Sequence, residues 1–255
     1  MSELVQLSRE RGVARILLDR PESRNALSLP MIRRLSEVVA EVDALARSER
    51  DSPRVAVLAG AGKVFCAGMD LKQVAADPVQ MGEMLRELSR TLRALRRLPI
   101  PTISLAHGAA IGGGCGLAIV CDFCFTHAEA KLGYPEVDLG ICPAVVAPWL
   151  VQRIGAGPAR ALLLAGGVLT GAEAHRAGLV THLAPQAELE RAGDEWADRL
   201  AKGGPRSLAA TKRWLNELDG SNDDEIAERA ASISAAIIAG PEAQERLRRF
   251  FSTLS

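Results

Sequence analysis

The chain has 255 residues, 31 basic against 31 acidic side chains, and a formal net charge of +0. With no basic surplus to neutralise phosphates, nucleic acid is not expected as the main partner. Hydrophobic residues make up 48% and charged residues 24%, an ordinary globular composition that excludes the fibrous and low-complexity classes.

Val5–Leu7 and Val13–Leu18 predict two short strands joined at Arg11-Gly12. Pro30 opens an amphipathic helix to about Ala46, with Ser28 as its cap. Arg54–Ala59 predicts a buried strand, broken by Gly60 and Gly62. A helix is expected over Val79–Leu98, stopped by Pro99 and Pro101. Thr102–Ala106 predicts the next buried strand, Cys115–Val120 a short helix, and Phe123–Thr126 a further strand. After Pro143 the pattern predicts helices alone, near 144–153, 157–165, 171–177, 186–201, 205–218, 222–238 and 241–252. Strands alternating with helices, then helices, imply an α/β core with a helical C-terminal part.

The first residues, M-S-E-L-V-Q-L-S-R-E-R-G, carry charges where a signal peptide needs an apolar core, and the last four, S-T-L-S, are not a peroxisomal address. The charge-free run Leu98–Cys121 contains glycines, prolines and His107, so a soluble core is expected there and no membrane span. Five cysteines without framework spacing predict a reduced, cytoplasmic chain. Cys121 and Cys124 form C-x-x-C with no second ligand pair, and the four histidines are scattered, so no metal is expected.

Several familiar motifs fail. Gly60-Ala61-Gly62-Lys63 lacks the glycine and hydroxyl residue of a phosphate loop, since Val57 and Val64 stand there. Leu117 breaks a dinucleotide fingerprint, and no G-x-S-x-G elbow occurs. What remains is unusual. Three consecutive glycines, Gly112 to Gly114, and then Gly116 sit within an apolar run, each costing about 0.5–1 kcal/mol relative to alanine. Two glycine turns, F-C-A-G-M-D at 65–70 and I-G-G-G-C-G at 111–116, each follow a buried strand. Such turns leave backbone N–H groups unpaired, and two of them aimed at one point can hold an oxyanion. Tight packing of strand on helix is the alternative at this point. Glu136, in G-Y-P-E-V-D-L-G, is an acid among apolar neighbours and a candidate for a raised pKa; a solvated loop carboxylate is its alternative.

Together these features resemble the enoyl-CoA hydratase/isomerase, or crotonase, superfamily. The resemblance rests on R-P-E-S-R-N-A-L at 20–27, A-G-K-V-F-C-A-G-M-D-L-K at 61–72, H-G-A-A-I-G-G-G-C-G-L-A-I-V-C-D at 107–122 and L-T-G-A-E-A-H-R-A-G-L-V at 169–180. It implies an α/β spiral of ββα units, with residues 1–195 as the core and 196–255 as a helical region for assembly into a trimer or a dimer of trimers. It implies an acyl-CoA substrate, with CoA as part of the thioester and no separate cofactor. By position, the N–H groups of Met69 and Gly113 form the oxyanion hole and Glu136 is the catalytic acid. Ala67, Met69, Asp70, Leu71, Lys72, Gly113 and Gly114 border the substrate, with Lys72 toward the CoA phosphates. Arg249 or Phe250 is a candidate to cover a neighbouring subunit's CoA.

The resemblance breaks at Gly116, where a hydratase of this family carries its first glutamate. One glutamate still permits hydration of an α,β-enoyl thioester if it takes water's proton and passes it on. It is sufficient for moving a double bond, the isomerase alternative, and a non-catalytic acyl-CoA binder is a third reading. The stretch 134–150 resembles bacterial methylglutaconyl-CoA hydratase-type members, which favours hydratase. Asp138, Tyr134 and Cys115 are the candidate substitutes for the missing acid, with a structural role as the alternative for each. Met69, Met81, Met84, Leu85 and Trp149 are the candidate walls of the acyl pocket, with plain core as the alternative for a helical Met/Leu stripe.

Overall fold

The computed structural model describes residues 3–48, 52–74 and 77–252. The chain opens with β1 (Val5–Glu10), β2 (Val13–Leu18), α1 (Leu29–Ala46), β3 (Val55–Gly60), α2 (Leu71–Val74) and α3 (Pro78–Arg96). It continues through β4 (Thr102–Leu105), β5 (Ala109–Ile111), α4 (Gly113–Val120), β6 (Phe123–Thr126) and β7 (Lys131–Gly133). A 3-10 turn over Pro135–Leu139 leads to α5 (Ala147–Ile154), α6 (Ala156–Ala165), β8 (Val168–Thr170), α7 (Gly171–Arg176) and β9 (His182–Leu183). Helices α8 (Leu189–Ala201), α9 (Pro205–Leu218), α10 (Asp224–Ile238) and α11 (Pro241–Ser252) complete it.

Caps explain the helix starts. Ser28 accepts from the Met31 N–H, and Asp77 accepts from the Gln80 N–H with Pro78 at the first helical position. That pairing of an Asx cap and proline starts α3 one residue before the expected Val79. Both helices bury one stripe, including Leu35 and Val39 on α1 and Leu85, Leu88 and Leu92 on α3. Helix α4 has no polar face at all, because all eight of its residues are buried.

Two sheets result. The larger runs β1-β2-β3-β4-β6-β9, parallel apart from the β1–β2 hairpin. The smaller runs β5-β7-β8. The expectation of helices alone after Pro143 is therefore corrected: β8 and β9 lie beyond it and pair back to β7 and β6. Their brevity, three and two residues, leaves no alternation to read. The same holds for β5 and β7, at three residues each. Helix α8 runs unbroken through residue 195 and packs on the large sheet through a cluster that includes Leu105, Phe125 and Leu189. Helix α9 is pinned by Lys212, whose buried Nζ donates to Asp122 at 2.7 Å and to the Ile100 carbonyl at 2.9 Å.

Candidate active site

The two glycine turns meet through a short stretch of parallel pairing. Cys66 N–H donates to the Ala109 carbonyl at 3.0 Å, and Ile111 N–H donates to the Cys66 carbonyl at 3.0 Å. Cys66 thus stands opposite Ala110. Met69 lies three residues beyond Cys66, and Gly113 three beyond Ala110. Beyond this pair both chains leave strand geometry, Gly68 at φ +93 and Gly112 at φ +53. The contact persists at the turns, where a Cβ on Gly113 would lie 3.8 Å from Met69 Cγ. Gly68, at φ +93, makes the close approach possible, since a Cβ there would meet the Ile111 carbonyl oxygen at 2.8 Å. Gly113 then begins α4, whose first amides have no intrahelical acceptor. Among the described residues, neither the Met69 N–H nor the Gly113 N–H donates to a protein acceptor.

The segment 20–27 holds the first turn from behind. Asn25 is fully buried at φ +54, and its Nδ2 donates to the carbonyls of Ala61, Val64 and Phe65 at 2.8, 2.9 and 3.1 Å. Its Oδ1 accepts from the Arg20 N–H at 2.9 Å. Asparagine tolerates that left-handed conformation better than most residues do. Leu27 N–H donates to the Gly68 carbonyl and Asp70 N–H to the Leu27 carbonyl, so Met69 is flanked by two engaged residues. Asp70 itself pairs with Arg20 at 2.7 Å, both half-buried. The motif containing Asn25 and Arg20 was visible in the sequence; what they hold was not.

Glu136 enters from the 3-10 turn. Its Oε1 lies 2.7 Å from where a Cβ on Gly112 would sit, and Gly112 itself is at φ +53. One glycine of the run 112–114 has its physical reason here: bare backbone at Gly112 admits a carboxyl group. Oε2 is buried with no hydrogen-bond partner among the described residues. Burial pushes the Glu136 pKa up to about 7, opposed by a hydrogen bond from its own backbone. Burial also raises the Cys142 thiol, with Glu136 adding to the effect, so this neighbour is neutral at physiological pH.

A cavity of about 650 Å³, its open mouth included, joins these parts. Ala67, Met69, Leu71, Gly113 and Glu136 line it, as does the expected wall residue Leu85. Gly114 does not; it is buried where a Cβ would meet the Cys66 carbonyl oxygen at 2.6 Å. Asp70 is committed to Arg20, and Lys72 is exposed on α2. Met81, Met84 and Trp149 are corrected as wall residues: Met81 and Met84 are buried in the core, and Trp149 borders a different hollow beside α10. Val145, Val146, Ile141, Cys142, Ser234 and Ile238 form walls that the sequence reading missed. The first four lie within 134–150, a stretch already singled out, whereas Ser234 and Ile238 carried no signal.

None of the proposed substitute acids lines the cavity. Asp138 is exposed and accepts from the Gly167 N–H at 3.2 Å, and Tyr134 and Cys115 are buried beside each other behind the wall. A Cβ on Gly116 would meet Val146 Cγ1 at 2.6 Å, so valine occupies the space a longer side chain would need. Arg249 pairs with Glu245 and, with Phe250, borders a separate hollow that shares Leu139 with the main cavity.

Among the described residues, no group of three or more His, Cys, Asp or Glu is placed to hold a metal ion, and no helix is long and apolar enough to cross a membrane. The sequence profile of the enoyl-CoA hydratase/isomerase family matches residues 8–253. The chain belongs to that family. It is 35% identical over 207 residues to the enoyl-CoA isomerase/hydratase fer4 of Mycosarcoma maydis, across 79% of this chain and 76% of that one. It is 32% identical over 220 residues to the 2,3-dehydroadipyl-CoA hydratase of Escherichia coli K12, across 85% and 83%. The crystal structure of an enoyl-CoA hydratase from Mycobacterium avium matches with a TM-score of 0.85 at 28% identity, across 99% of this chain and 98% of that one. The crotonase fold, mixed α/β with a helical C-terminal region, is thus this chain's fold.

Proposed function

We propose that the chain is an enoyl-CoA hydratase. One observation supports the reading: Met69 and Gly113, whose N–H groups have no protein acceptor among the described residues, line one cavity with Glu136. In this mechanism the thioester carbonyl oxygen accepts from both amides. Glu136, as carboxylate, takes a proton from water while the water oxygen bonds to the β-carbon. Electron density shifts onto the thioester oxygen, where the amides stabilise the enolate; losing one such donor typically costs about 2.7–4 kcal/mol. Glu136 then returns the proton to the α-carbon, so one carboxyl group completes a hydration.

Isomerisation is a second reading, favoured by Val146. With valine beside Gly116, Glu136 is the only carboxyl group among the described lining residues. It would remove an α-proton from a β,γ-enoyl thioester and deliver it to the γ-carbon. Wild type and Glu136→Gln, each incubated with crotonyl-CoA and with a β,γ-enoyl-CoA, separate the readings. Hydration of crotonyl-CoA that fails in the variant supports hydratase. Turnover of the β,γ-isomer alone replaces it with isomerase, and thioester binding without any turnover leaves an acyl-CoA binder.

We further propose a homotrimer, or a dimer of trimers, assembled through residues 196–255 and located in the cytoplasm. Exposed Trp214, Leu215 and Leu218 on α9 and Ile226, Ile233 and Ile237 on α10 support the assembly, being more large apolar surface than scattered exposure requires. Five free cysteines support a reducing compartment.

A further inference from the structure

Hydration makes a demand that moving a double bond does not: a water molecule must be held while its oxygen meets the β-carbon. Water carries two hydrogens. Glu136 accepts one in the mechanism above, and its Oε2 is buried with no partner among the described residues. The other hydrogen needs its own acceptor, because a buried donor left unpaired is costly. Gly116 supplies none, and Val146 fills the space beside it. Among the described lining residues, one side chain carries a hydroxyl: Ser234 of α10, fully buried. Its hydrogen is committed, since it donates to the Cys142 carbonyl at 2.9 Å. A hydroxyl has one hydrogen and two lone pairs, so a serine fixed in this way presents its oxygen as an acceptor. No group among the described residues donates to that oxygen. The same bond ties Ser234 to the segment that carries the base. Cys142 follows Ile141, whose N–H donates to the Glu136 carbonyl at 2.9 Å. The remaining polar side chain of the wall, Cys142, offers a sulfur, which is a weak acceptor.

Resting on the hydratase reading above, we propose that Ser234 positions the attacking water, accepting the hydrogen that Glu136 does not take. Ser234 then does by hydrogen bonding what a second carboxylate would otherwise do, and no proton moves to or from it. One hydrogen of water passes to Glu136 and on to the α-carbon. The other stays on the oxygen, held by Ser234, and leaves on the β-hydroxyl group of the product. The water oxygen bonds to the β-carbon as the π pair of the double bond moves toward the thioester.

The test compares wild type with Ser234→Ala, Ser234→Cys and Ser234→Thr, each first checked by thermal melting. One assay is hydration of crotonyl-CoA. The other is exchange of the α-hydrogens of butyryl-CoA in heavy water, followed by NMR, which calls on the two amides and Glu136 but on no attacking water. Ser234→Ala should lower kcat for hydration about tenfold, with KM and the exchange rate little changed. Ser234→Thr keeps the hydroxyl and should keep most of the hydration. Ser234→Cys keeps the size but offers a weak acceptor, so it should lose hydration in the same selective way and stands in if Ser234→Ala does not fold. Unchanged kcat in Ser234→Ala overturns the role of Ser234 and leaves the hydratase reading in place. A parallel loss in both assays, or a rise in KM in place of the fall in kcat, also overturns it. Wild type that hydrates no enoyl thioester, with or without exchange, overturns the hydratase reading and this role together.

Discussion

Glu136 lies with one carboxyl oxygen against the bare Gly112 backbone and the other in a buried position without a partner. A base needs a pKa near the working pH, and burial brings this one to about 7. Hydration by the carboxylate should rise with pH and level off above about pH 7, and Glu136→Gln should lower kcat/KM by about 10²–10⁴ across the profile. Stability should move the other way. The folded state holds the proton over a window, from 4.5 to about 7, in which the unfolded chain has already lost it. Below that window both states are protonated, and as pH rises through it the folded state is progressively disfavoured. Melting temperature measured against pH should therefore fall through that window in wild type and lose this component in Glu136→Gln. The absent acid at Gly116 has its own test. Gly116→Glu alone forces Val146 aside and should destabilise the protein by about 1–3 kcal/mol. Adding Val146→Ala should recover part of that stability, read in urea titrations. In a hydratase, the double variant should also turn over crotonyl-CoA faster than Gly116→Glu.

At the scale of elements, the site is a registration problem. The pairing of Cys66 with Ala110 is three-residue geometry, too short to hold itself. Asn25 holds the preceding loop through three carbonyls and takes an N–H in return. Asn25→Ala leaves these buried groups unsatisfied, at about 1–3 kcal/mol for such a loss. Its signature should be a drop in kcat larger than any rise in KM, because Met69 would lose its position while the cavity walls remain. Steady-state kinetics on crotonyl-CoA beside a urea titration would separate this from simple unfolding.

For the whole molecule, the helices of the C-terminal part are tied to the core by more than apolar contact. Buried Lys212 pairs with half-buried Asp122, which also accepts from the Thr102 N–H at 2.8 Å and lies 3.6 Å from Arg96. Breaking a fully buried pair typically costs about 3–5 kcal/mol, but Asp122 keeps Arg96 and Thr102 as partners when Lys212 is removed. Lys212→Met should therefore lose less than that in chemical denaturation, and Lys212→Met with Asp122→Asn less again. The same C-terminal part carries the exposed apolar residues of α9 and α10. Leu218→Glu should shift sedimentation toward the monomer if these helices form the interface.

The local chemistry was legible in the chain because it is written in neighbours. Ser28 and Pro30 announced α1, alternation and β-branching announced β2 and β3, and two glycine turns after buried strands announced a place where backbone amides go unpaired. Glu136 was legible as an acid among apolar residues. Periodicity, however, says which face of an element is buried and never what buries it. Met81 and Met84 form the same stripe whether they meet a cavity or a core, and packing put them in the core. Met69 and Gly113 come together only once residue 66 pairs with residue 110. Val146 beside Gly116 and Ile238 in the cavity wall are likewise set by contacts between distant parts of the chain, which only the folded arrangement of helices around the two turns decides.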